Sequence, residues 1–407
     1  ATATLSPATQ VATVGDDPLP RLADQLRAVG LDRVRVSTQG VTLVVEFENY
    51  RYLHNEADAL GVVLGLSAEL APANLRTVHA IALKNGFQVQ AVAVDAQAYR
   101  DYLRWGAAEP VLDSMVLGAL PLQDIAAAST AAKEPTTKVR VALSPLLTTH
   151  LGTEFGLFDY SLALQARASV PLWRGALAYA DVVQPVATSR NMEPGRAFEY
   201  AKHRNGVQTV ALQQSFWLSP RWFNSVGVGR YSYDSNAVQG ESILYLPWGH
   251  DSVHLRASSG QGWTTSYRWR ANASTWLEAD FNEYTRGERG PSLTLTRWFG
   301  DVALQVFART DTIRTFVGLQ VSLPLTPRQG QGAAALQASG SQRFGSGVRT
   351  LMANGGCNCL YPTALRPLAL SFQAETELLN SGRNTPDFWR SQLPRMRESF
   401  FLYGQWP

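Results

Sequence analysis

The sequence has few charged residues and no long apolar run. Charged residues make up 17% of its 407 residues, below the roughly 25% of a typical soluble domain. Its 36 Lys and Arg against 33 Asp and Glu leave a formal charge of +3, too small to indicate a nucleic-acid-binding protein. The best apolar stretch, 59–70, contains two glycines and Glu69, and it is shorter than the about 18 residues of a membrane-spanning helix. A helical membrane protein is therefore excluded.

Cysteines and catalytic motifs are also scarce. Cys357 and Cys359 are separated by one residue, so a disulfide between them would be strained and a metal site would lack ligands. The sequence has no Gly-x-Ser-x-Gly, no Walker loop and no His-Glu-x-x-His, the motifs of common hydrolases and nucleotide-binding proteins. His250 and His254 span a turn and a strand, so we expect no shared metal. The sequence predicts no enzyme, no metal site and no cofactor.

Aromatic residues, in contrast, are frequent, with 11 tryptophans. Many aromatics with few charges fit either a large soluble β protein or a β-barrel in a lipid bilayer. The chain begins at Ala1 with a polar run rich in Ala and Thr. We interpret residues 1–16 as a flexible tail left after removal of a signal peptide, although a trimmed chain would look the same.

Residues 17–105 predict a small α/β domain. Asp17 and Pro18 are typical of a helix start, and Gly30 can end that helix. Asn85-Gly86 lies between two extended runs, and this dipeptide is the strongest short signal for a hairpin. The predicted order is α-ββ-α-ββ-α, with strands at 33–38, 41–48, 77–83 and 87–94 and helices before, between and after the two strand pairs. Residues 106–136, rich in Ala, Pro and Thr, predict a linker.

From residue 138 onward the hydrophobic pattern has a period of two. Residues 253–258, for example, read Val-His-Leu-Arg-Ala-Ser. Strands of about ten residues with one apolar and one polar face are typical of a transmembrane β-barrel with a water-filled lumen. About twelve such strands fit into 138–324, and we assign 137–325 to an antiparallel outer-membrane barrel of roughly 12 to 16 strands.

The C-terminal segment, 326–407, allows two interpretations. Strands at 368–378 and 399–406 would add to the barrel, or the segment would fold back as a periplasmic element. Residues 387–397 look partly helical.

The predicted turns favour a barrel over a soluble sandwich. Short connections at 174–175, 220, 249–250, 274–275 and 300 alternate with mostly longer ones at 190–205, 234–238, 260–262, 287–290 and 311–314. Outer-membrane barrels show such an alternation. If the short turns are periplasmic, the first strand starts, and the twelfth ends, on the side of the α/β domain. Six tryptophans lie beside the short turns, as an interfacial aromatic belt requires: Trp173, Trp217, Trp222, Trp248, Trp276 and Trp298.

Polar positions in the predicted strands form a set of lumen-lining candidates for glycan contact. Arginine and amide side chains donate several hydrogen bonds and suit sugar hydroxyls or acidic sugar carboxylates. Opposite charges on neighbouring strands also stabilise a barrel wall without any ligand. The set consists of Gln165, Arg167, Gln213, His254, Arg256, Arg268, Arg270, Glu278, Asp280, Asn282, Gln305 and Arg309.

Two groups within these predictions have alternative interpretations. Glu278 and Asp280, with Glu283 nearby, resemble a carboxylate pair for glycoside cleavage. We favour ion pairs of Glu278 and Asp280 with arginines of a neighbouring strand, such as Arg268 and Arg270, because no nucleophile is indicated. In the α/β domain, Tyr50, Arg51 and Tyr52 follow a strand and form either a docking patch for a partner or the cap of a sheet edge.

Short segments along most of the chain carry a resemblance to a known family. Those in the N-terminal part are Glu48-Asn49-Tyr50-Arg51-Tyr52, Ala59-Leu60-Gly61 and Asn85-Gly86. Those further along are 229–231, 240–241, 244–247, 295–299, 321–325, 379–383 and 393–397. They resemble the YjbH-type family of exopolysaccharide- and capsule-associated outer-membrane proteins.

The resemblance implies a protein that assists polysaccharide passage across the outer membrane beside a Wza-like export protein. Many family members are longer, with a second barrel half, and many are lipoproteins with an N-terminal Cys where this chain has Ala1, which argues against a lipid anchor.

We therefore expect an outer-membrane protein of a Gram-negative bacterium, with its N-terminal domain in the periplasm. It would help an exopolysaccharide or capsule polymer, as found in biofilms, to leave the cell through a passive hydrated lumen. Its partners would be outer-membrane lipid, the polysaccharide and the periplasmic export protein, but no nucleic acid. A general diffusion porin and a secreted glycan-active β enzyme are the rival hypotheses.

Overall fold

The computed structural model describes residues 18–118, 138–153, 155–284, 287–332, 334–354 and 365–404. The predicted tail at 1–16, most of the predicted linker, and Cys357 and Cys359 lie outside these residues. The described residues form two β-sheets, one of five strands and one of fourteen. The protein is therefore mostly β, as the sequence predicts.

The five-stranded sheet is built by the N-terminal part of the chain. Its elements are α1 (Pro18–Ala28), β1 (Asp32–Gln39), β2 (Thr42–Glu48), α2 (Glu56–Leu70), β3 (Thr77–Lys84), β4 (Phe87–Asp95), α3 (Ala96–Trp105), α4 (Glu109–Ser114) and β5 (Val116–Gly118). The strands lie in sequence order, with β2 and β3 parallel and the other neighbours antiparallel. Asn85 and Gly86 have φ values of 49° and 75°, as the turn of a hairpin with this dipeptide requires.

The predicted linker starts too early. Residues 109–118 form α4 and β5, and β5 pairs with the edge strand β4. Val111 and Met115 are buried in the same hydrophobic core as α2 and α3. Two apolar side chains in a stretch rich in Ala and Pro are a weak sequence signal for a strand. The prediction therefore assigned this short extension of the sheet to the linker.

The second sheet contains the alternating segments. Its strands are β6 (Val139–Thr153), β7 (Gly156–Pro171), β8 (Ala176–Thr188), β9 (Gly206–Ser219), β10 (Trp222–Tyr231), β11 (Ser235–Tyr245), β12 (Ser252–Ser258), β13 (Gly262–Asn272), β14 (Thr275–Glu283), β15 (Arg289–Phe299), β16 (Val302–Thr310), β17 (Arg314–Leu323), β18 (Leu336–Gly340) and β19 (Phe344–Asn354). From β6 to β17 each strand pairs antiparallel with the next, which confirms the twelve strands predicted over 138–324. β18 pairs parallel with β6 and β19 antiparallel with β17. Within the described residues no ladder joins β18 to β19, so these hydrogen bonds do not complete a closed ring.

The connections between strands differ from the prediction in length. One end of the sheet has turns at 172–175, 220–221, 246–251, 273–274 and 300–301, and the other end has connections at 189–205, 232–234, 259–261, 284–288 and 311–313. Of this second group, 189–205 is the long one. The predicted loop 234–238 is largely strand, because Ser232 and Tyr233 adopt positive φ and turn the chain within three residues.

The two faces of the fourteen-stranded sheet differ in polarity: one buries charged and polar side chains together with apolar ones such as Phe223 and Ile243, and the other exposes apolar side chains. His254 is fully buried while its neighbours Val253 and Leu255 are exposed. The same alternation recurs along the sheet, and its exposed apolar side chains include Val226, Val228, Val238, Leu244, Tyr267, Trp269, Leu293, Leu295, Val306 and Leu319. We call the buried side the polar face and the exposed side the apolar face.

The C-terminal residues correct the prediction of two further strands at 368–378 and 399–406. The chain forms α5 (Ala374–Leu378), α6 (Pro386–Ser391) and α7 (Leu393–Tyr403), so the helical interpretation of 387–397 is confirmed. Leu368, Leu370 and Phe372 alternate in burial as a strand would, but the backbone there joins no ladder. The added strands of the sheet are β18 and β19 instead.

Helix α7 packs against α2 through two glycines. A Cβ atom at Gly61 would lie 2.2 Å from the Met396 carbonyl oxygen, and one at Gly65 would lie 2.2 Å from the Phe400 ring. This close approach buries nearly the whole of α2. None of the helices in the described part of the chain is both long and apolar enough to cross a membrane.

Candidate functional site

The polar face of the large sheet holds the predicted lumen residues. The alternation of β-strands places them on one side, and none of the twelve is exposed. The fully or nearly buried ones are Gln213, His254, Arg268, Arg270, Glu278 and Asn282, and the half-buried ones are Gln165, Arg167, Arg256, Asp280, Gln305 and Arg309. The segment 365–387, rather than open solvent, lies against many of them.

Glu375 of α5 is the centre of an ionic cluster on this face. Its carboxylate accepts a 2.9 Å hydrogen bond from Arg268 and one of 3.3 Å from Arg256. Arg268 also donates to Glu278 at 2.9 Å, and Arg256 donates to Glu241 at 2.9 Å. The predicted ion pair of Glu278 with Arg268 is therefore present, and the C-terminal segment adds a carboxylate that the sequence did not reveal.

Three predicted residues beside this cluster, Arg270, His254 and Asp280, also have partners within the chain. Arg270 donates to the Gly382 carbonyl oxygen at 2.6 Å, and its guanidinium lies 4.8 Å from the Trp276 ring centre. His254 contacts the Ser252 hydroxyl at 2.8 Å. Asp280 accepts from Ser292 at 2.8 Å, so its expected pairing with an arginine of the neighbouring strand is replaced by a hydroxyl contact.

The remaining candidates contact neighbouring side chains, an aromatic ring or a backbone carbonyl oxygen. Gln165 donates to Gln208, Gln213 to Ser225, Asn282 to Ser292 and Gln305 to Thr296. The Arg309 guanidinium lies 3.8 Å from the Phe307 ring centre. Arg167 binds both carboxylate oxygens of Asp181, at 2.7 and 3.0 Å, and the Ser371 carbonyl oxygen at 2.6 Å. Among these contacts, the pair of Arg167 with Asp181 joins opposite charges on neighbouring strands.

One side of the polar face leaves a cavity of about 490 Å³. It lies between β6, β7, β18 and the segment 370–378, and it is lined by Gln165 and Arg167 from the predicted set. Lys84, Arg140 and Gln337 also line it. The alternating pattern did not indicate these three residues, because they lie in three separate places: the N-terminal hairpin, the first strand of the large sheet and the C-terminal segment.

A second cluster joins the N-terminal part of the chain to the end of the large sheet that carries turn 300–301. Asp58 of α2 is bound by Arg395 of α7 at 2.6 and 2.8 Å and by Arg328 at 2.7 and 3.1 Å. Arg395 also reaches Asp301 in that turn, at 2.8 and 3.0 Å, and His54 contacts Asp301 at 3.3 Å. We call this group the seam.

The seam shifts the pKa values of both carboxyls downward. Burial alone would raise the pKa of Asp58, but hydrogen bonds from Arg395 and Arg328 lower it below its ordinary value. Burial also opposes ionisation of Asp301, while hydrogen bonds from His54 and Arg395 place its pKa far below the usual range. Both groups are therefore ionised at neutral pH, and the seam is held by full charges.

The docking prediction for Tyr50, Arg51 and Tyr52 needs correction. The Tyr50 ring lies 3.3 Å from the Arg140 guanidinium of β6, and its hydroxyl donates to Asn85 at 3.0 Å. Tyr52 is 1% exposed and forms an isolated backbone bridge with Gln329. Arg51 donates to the Val29 carbonyl oxygen. Tyr50 thus links the two sheets, and Arg51 and Tyr52 are engaged within the chain, so the three residues do not form a free patch for another protein.

The six tryptophans predicted to form an aromatic belt differ in exposure. Trp173, Trp222 and Trp248 are exposed at the short-turn end, whereas Trp276 and Trp298 are buried on the polar face. Trp276 packs near Arg268 and Arg270, and Trp298 near Arg343 and Arg383. Trp217 donates to the Gln88 carbonyl oxygen of the N-terminal hairpin region. Proximity to a short turn does not determine which face of the sheet a tryptophan occupies, because a shift of one residue along a strand moves its side chain to the other face.

The seam and the contacts of the N-terminal hairpin bring together segments that are far apart in the sequence. Ala59-Leu60-Gly61 meets 393–397 across α2 and α7, and Glu48 accepts a hydrogen bond from the Gly86 backbone. Asn380 donates to Asn55 at 3.2 Å. Except for Asn55, these residues belong to segments on which the family resemblance rests.

Comparison with protein-family models shows the family to which the chain belongs. A model described as exopolysaccharide biosynthesis protein YbjH matches residues 4–251, more than half of the chain. The chain belongs to the YjbH family. A comparison with curated proteins finds no match. The YjbH match includes Asp58 and Arg140, while the residues that complete the seam, Arg328 and Arg395, lie C-terminal to it.

The family description associates the chain with exopolysaccharide biosynthesis. No group of three or more His, Cys, Asp or Glu side chains suited to a metal occurs in the described ranges. The polar face presents amide, hydroxyl and guanidinium groups, which can form hydrogen bonds and ion pairs.

Proposed function

We propose that the chain lies in the outer membrane of a Gram-negative bacterium and assists export of an exopolysaccharide or capsular polysaccharide. The observation that carries this proposal is the inverted polarity of the large sheet, with apolar side chains exposed and charged ones buried. The family supplies the association with exopolysaccharide.

The exposed apolar rows need a covering of lipid. Soluble monomers rarely expose a contiguous apolar patch of more than several hundred Å², and here such rows extend over most strands from β6 to β19. The strands β6–β17 are 7 to 16 residues long. A tilted strand needs about 9 to 11 residues to cross a bilayer, which lies within this range. Exposed Trp173, Trp222 and Trp248 support one interfacial boundary at the short-turn end.

The polymer would pass along the polar face passively. The C-terminal segment occupies the part of this face near β11–β14, where Glu375 binds Arg256 and Arg268. The cavity beside β6 and β7 remains for a hydrated chain. Its lining includes Tyr50 and Lys84 from the N-terminal part and His203 from the 189–205 connection at the other end.

The N-terminal part would recruit a periplasmic export protein of the Wza type. It contacts the short-turn end of the large sheet, where Gly175 donates to the Asn85 carbonyl oxygen at 2.7 Å. Since Tyr50, Arg51 and Tyr52 are engaged within the chain, we propose the outer helical surface for this contact. Trp105 at the end of α3 is 81% exposed there.

The C-terminal segment disfavours a general diffusion porin. A porin needs an open water-filled lumen, whereas residues 365–387 contact the polar face through Ser371, Glu375 and Gly382. A glycan-cleaving enzyme is disfavoured by the ion pair of Glu278 with Arg268, which leaves that carboxylate engaged.

Membrane fractionation followed by heat-modifiable gel migration tests the proposed location. We expect the chain in the outer-membrane fraction, with a faster band before heating than after. Deletion of its coding sequence in the native host should lower the amount of released polymer while synthesis continues. A chain that is soluble without detergent, or release that is unchanged by the deletion, would contradict the proposal.

A further inference from the structure

The cavity beside β6 and β7 has the size of a ligand site. Its volume of about 490 Å³ lies within the about 300 to 1,000 Å³ of small-molecule sites. Its wall combines amide and hydroxyl groups of Gln165, Gln373 and Ser339 with the apolar side chains of Phe344, Phe372 and Leu177. Such a mixture suits a sugar ring, which has hydroxyls at its edge and C–H groups on its faces.

Buried polar atoms on the cavity wall lack partners within the described chain. The Gln337 side chain is 6% exposed, its amide donates to the Gly332 carbonyl oxygen at 3.0 Å, and its Oε1 atom has no hydrogen-bond partner. The Nε atom of Arg140 is likewise buried without a partner. A buried polar group without a partner costs free energy, so a ligand that supplies a donor and an acceptor would be stabilised here.

The charges on the wall are predominantly positive. Lys84, Arg140, Arg167 and Arg343 line the cavity, and Glu377 is the carboxylate among its lining residues. Carboxylates outside the lining bind two of these cations, in the pairs Lys84–Glu56 and Arg167–Asp181.

The other two cations are less well neutralised. Arg140 lies 3.9 Å from Glu48, and Arg343 donates to the Asp301 carbonyl oxygen and the Ser381 hydroxyl, which are uncharged acceptors. These two arginines favour an anionic group in the cavity.

We propose that this cavity binds a short segment of an acidic saccharide, with Gln337 accepting from a sugar hydroxyl and Arg140 and Arg343 attracting a sugar carboxylate. This inference rests on the proposed function, because it names the class of polymer that the export route would take. It assigns selectivity to the β6–β7 side of the polar face and a structural role to the Glu375 cluster on the other side.

Binding measurements on the full chain in detergent test the assignment. Oligogalacturonate serves as the acidic probe, a malto-oligosaccharide of equal length as the neutral probe, and inorganic phosphate as the probe for simple anion binding. We expect oligogalacturonate to bind at least tenfold more tightly than the neutral oligosaccharide, and phosphate to bind weakly.

Two cavity variants and one control locate the site. Ser339→Glu places a carboxylate in the wall and should weaken oligogalacturonate binding at least tenfold, while Gln337→Met should weaken it about three- to tenfold, the loss of one hydrogen bond. Gln97→Glu adds the same charge on the exposed surface of α3 and should leave the affinity unchanged. Retained heat-modifiable migration shows that each variant is folded.

The outcomes separate the inference from the proposed function. If oligogalacturonate binds the folded wild type no better than the neutral probe, or Ser339→Glu leaves its affinity unchanged, the cavity assignment is wrong even when export depends on the chain. If the probe binds as expected but polymer release does not depend on the chain, the site stands and the export proposal fails.

Discussion

The two sheets of this protein differ in the side chains that they bury. In the N-terminal part, α2 is enclosed by apolar neighbours, and Leu60, Val62 and Val63 have no exposed surface. In the fourteen-stranded sheet, Arg268 and His254 are buried while Leu255 faces outward. In both regions, the spacing of apolar residues shows which side chains share a face of a strand or helix. The spacing does not show whether that face is exposed to water.

The difference is the basis for the lipid surroundings that we propose for the large sheet. Burying apolar surface stabilises a fold in water, and the N-terminal part has such a core. A sheet that exposes its apolar rows gains this stabilisation only when something apolar covers them. The charged groups inside it pair with one another, as Glu375 and Arg268 show, beside buried apolar side chains such as Phe223 and Ile243.

The seam should show the largest effect of a single substitution. Asp58→Ala leaves Arg395 and Arg328 without the carboxylate that binds them both. Removing one partner of a buried ion pair costs about 3 to 5 kcal/mol, and we expect a loss of this size in the free energy of unfolding, measured by urea denaturation in detergent. Asp24→Ala removes an exposed partner of Arg27 and should change it by less than about 1 kcal/mol. Equal effects of the two variants would show that the seam is not structural.

Truncating leucines tests the contrast between the two regions directly. Leu60→Ala creates a cavity beside α2, where the side chain is fully buried, and should cost about 2 to 5 kcal/mol. Leu255→Ala shortens a side chain that is 48% exposed and should cost much less in detergent. The measurement is again urea denaturation, and a cost for Leu255→Ala as large as for Leu60→Ala would mean that the apolar face is packed against protein.

Introducing a lysine on the apolar face sharpens the same comparison. Leu255→Lys should destabilise the protein in lipid vesicles by about 2 to 4 kcal/mol if the position lies near the bilayer midplane. Val116→Lys, at an exposed position of β5 in the N-terminal part, should lie within about 0.5 kcal/mol of wild type. Denaturation in vesicles gives both values. If Leu255→Lys did not lower the free energy of unfolding, the apolar face at Leu255 would be in contact with water and not with lipid.

Acidification should release part of the stabilisation of the seam. The pKa values of Asp58 and Asp301 are lowered in the folded protein, so the unfolded chain takes up protons first as the pH falls. Their contribution is complete above the ordinary carboxyl pKa of about 4 and is lost as the pH falls below it. Thermal unfolding between pH 7 and pH 3 should show this decline, and the decline should be smaller in Asp58→Asn, which cannot titrate at that position. An identical decline in the variant would exclude Asp58 as a cause.

Much of the architecture could be predicted from local patterns. Asn85-Gly86 marked a hairpin because two successive positive φ values suit these residues, and alternation placed Arg268 and Glu278 on one face as an ion pair. Glu375 and the seam could not be predicted in this way, because their partners are 94 or more residues away along the chain. A charged residue directly before an apolar run, such as Asp58 before Ala59-Leu60-Gly61, was the available signal for a distant cation.

The C-terminal segment shows the limit of periodicity most clearly. Leu368, Leu370 and Phe372 alternate as in a strand, and their burial does alternate, but the polar face already satisfies the backbone there through side chains. Ser371 is an example, since its N–H donates to Gln239 and its carbonyl oxygen accepts from Arg167. An extended segment can therefore have a strand pattern without strand partners.

The smallest expected effect concerns an ion pair at the rim of the large sheet. Glu283 accepts a 3.2 Å hydrogen bond from Arg289, whose side chain is 62% exposed. Water screens such a pair, and exposed pairs contribute about 0 to 1 kcal/mol, so Glu283→Gln should change the urea midpoint little. Glu278→Gln, five positions earlier on β14, removes a charge from the buried pair with Arg268 and should cost clearly more. If the two glutamines were equally mild, the buried charges of the polar face would be solvated, and the contrast between the rim and the interior of the sheet would disappear.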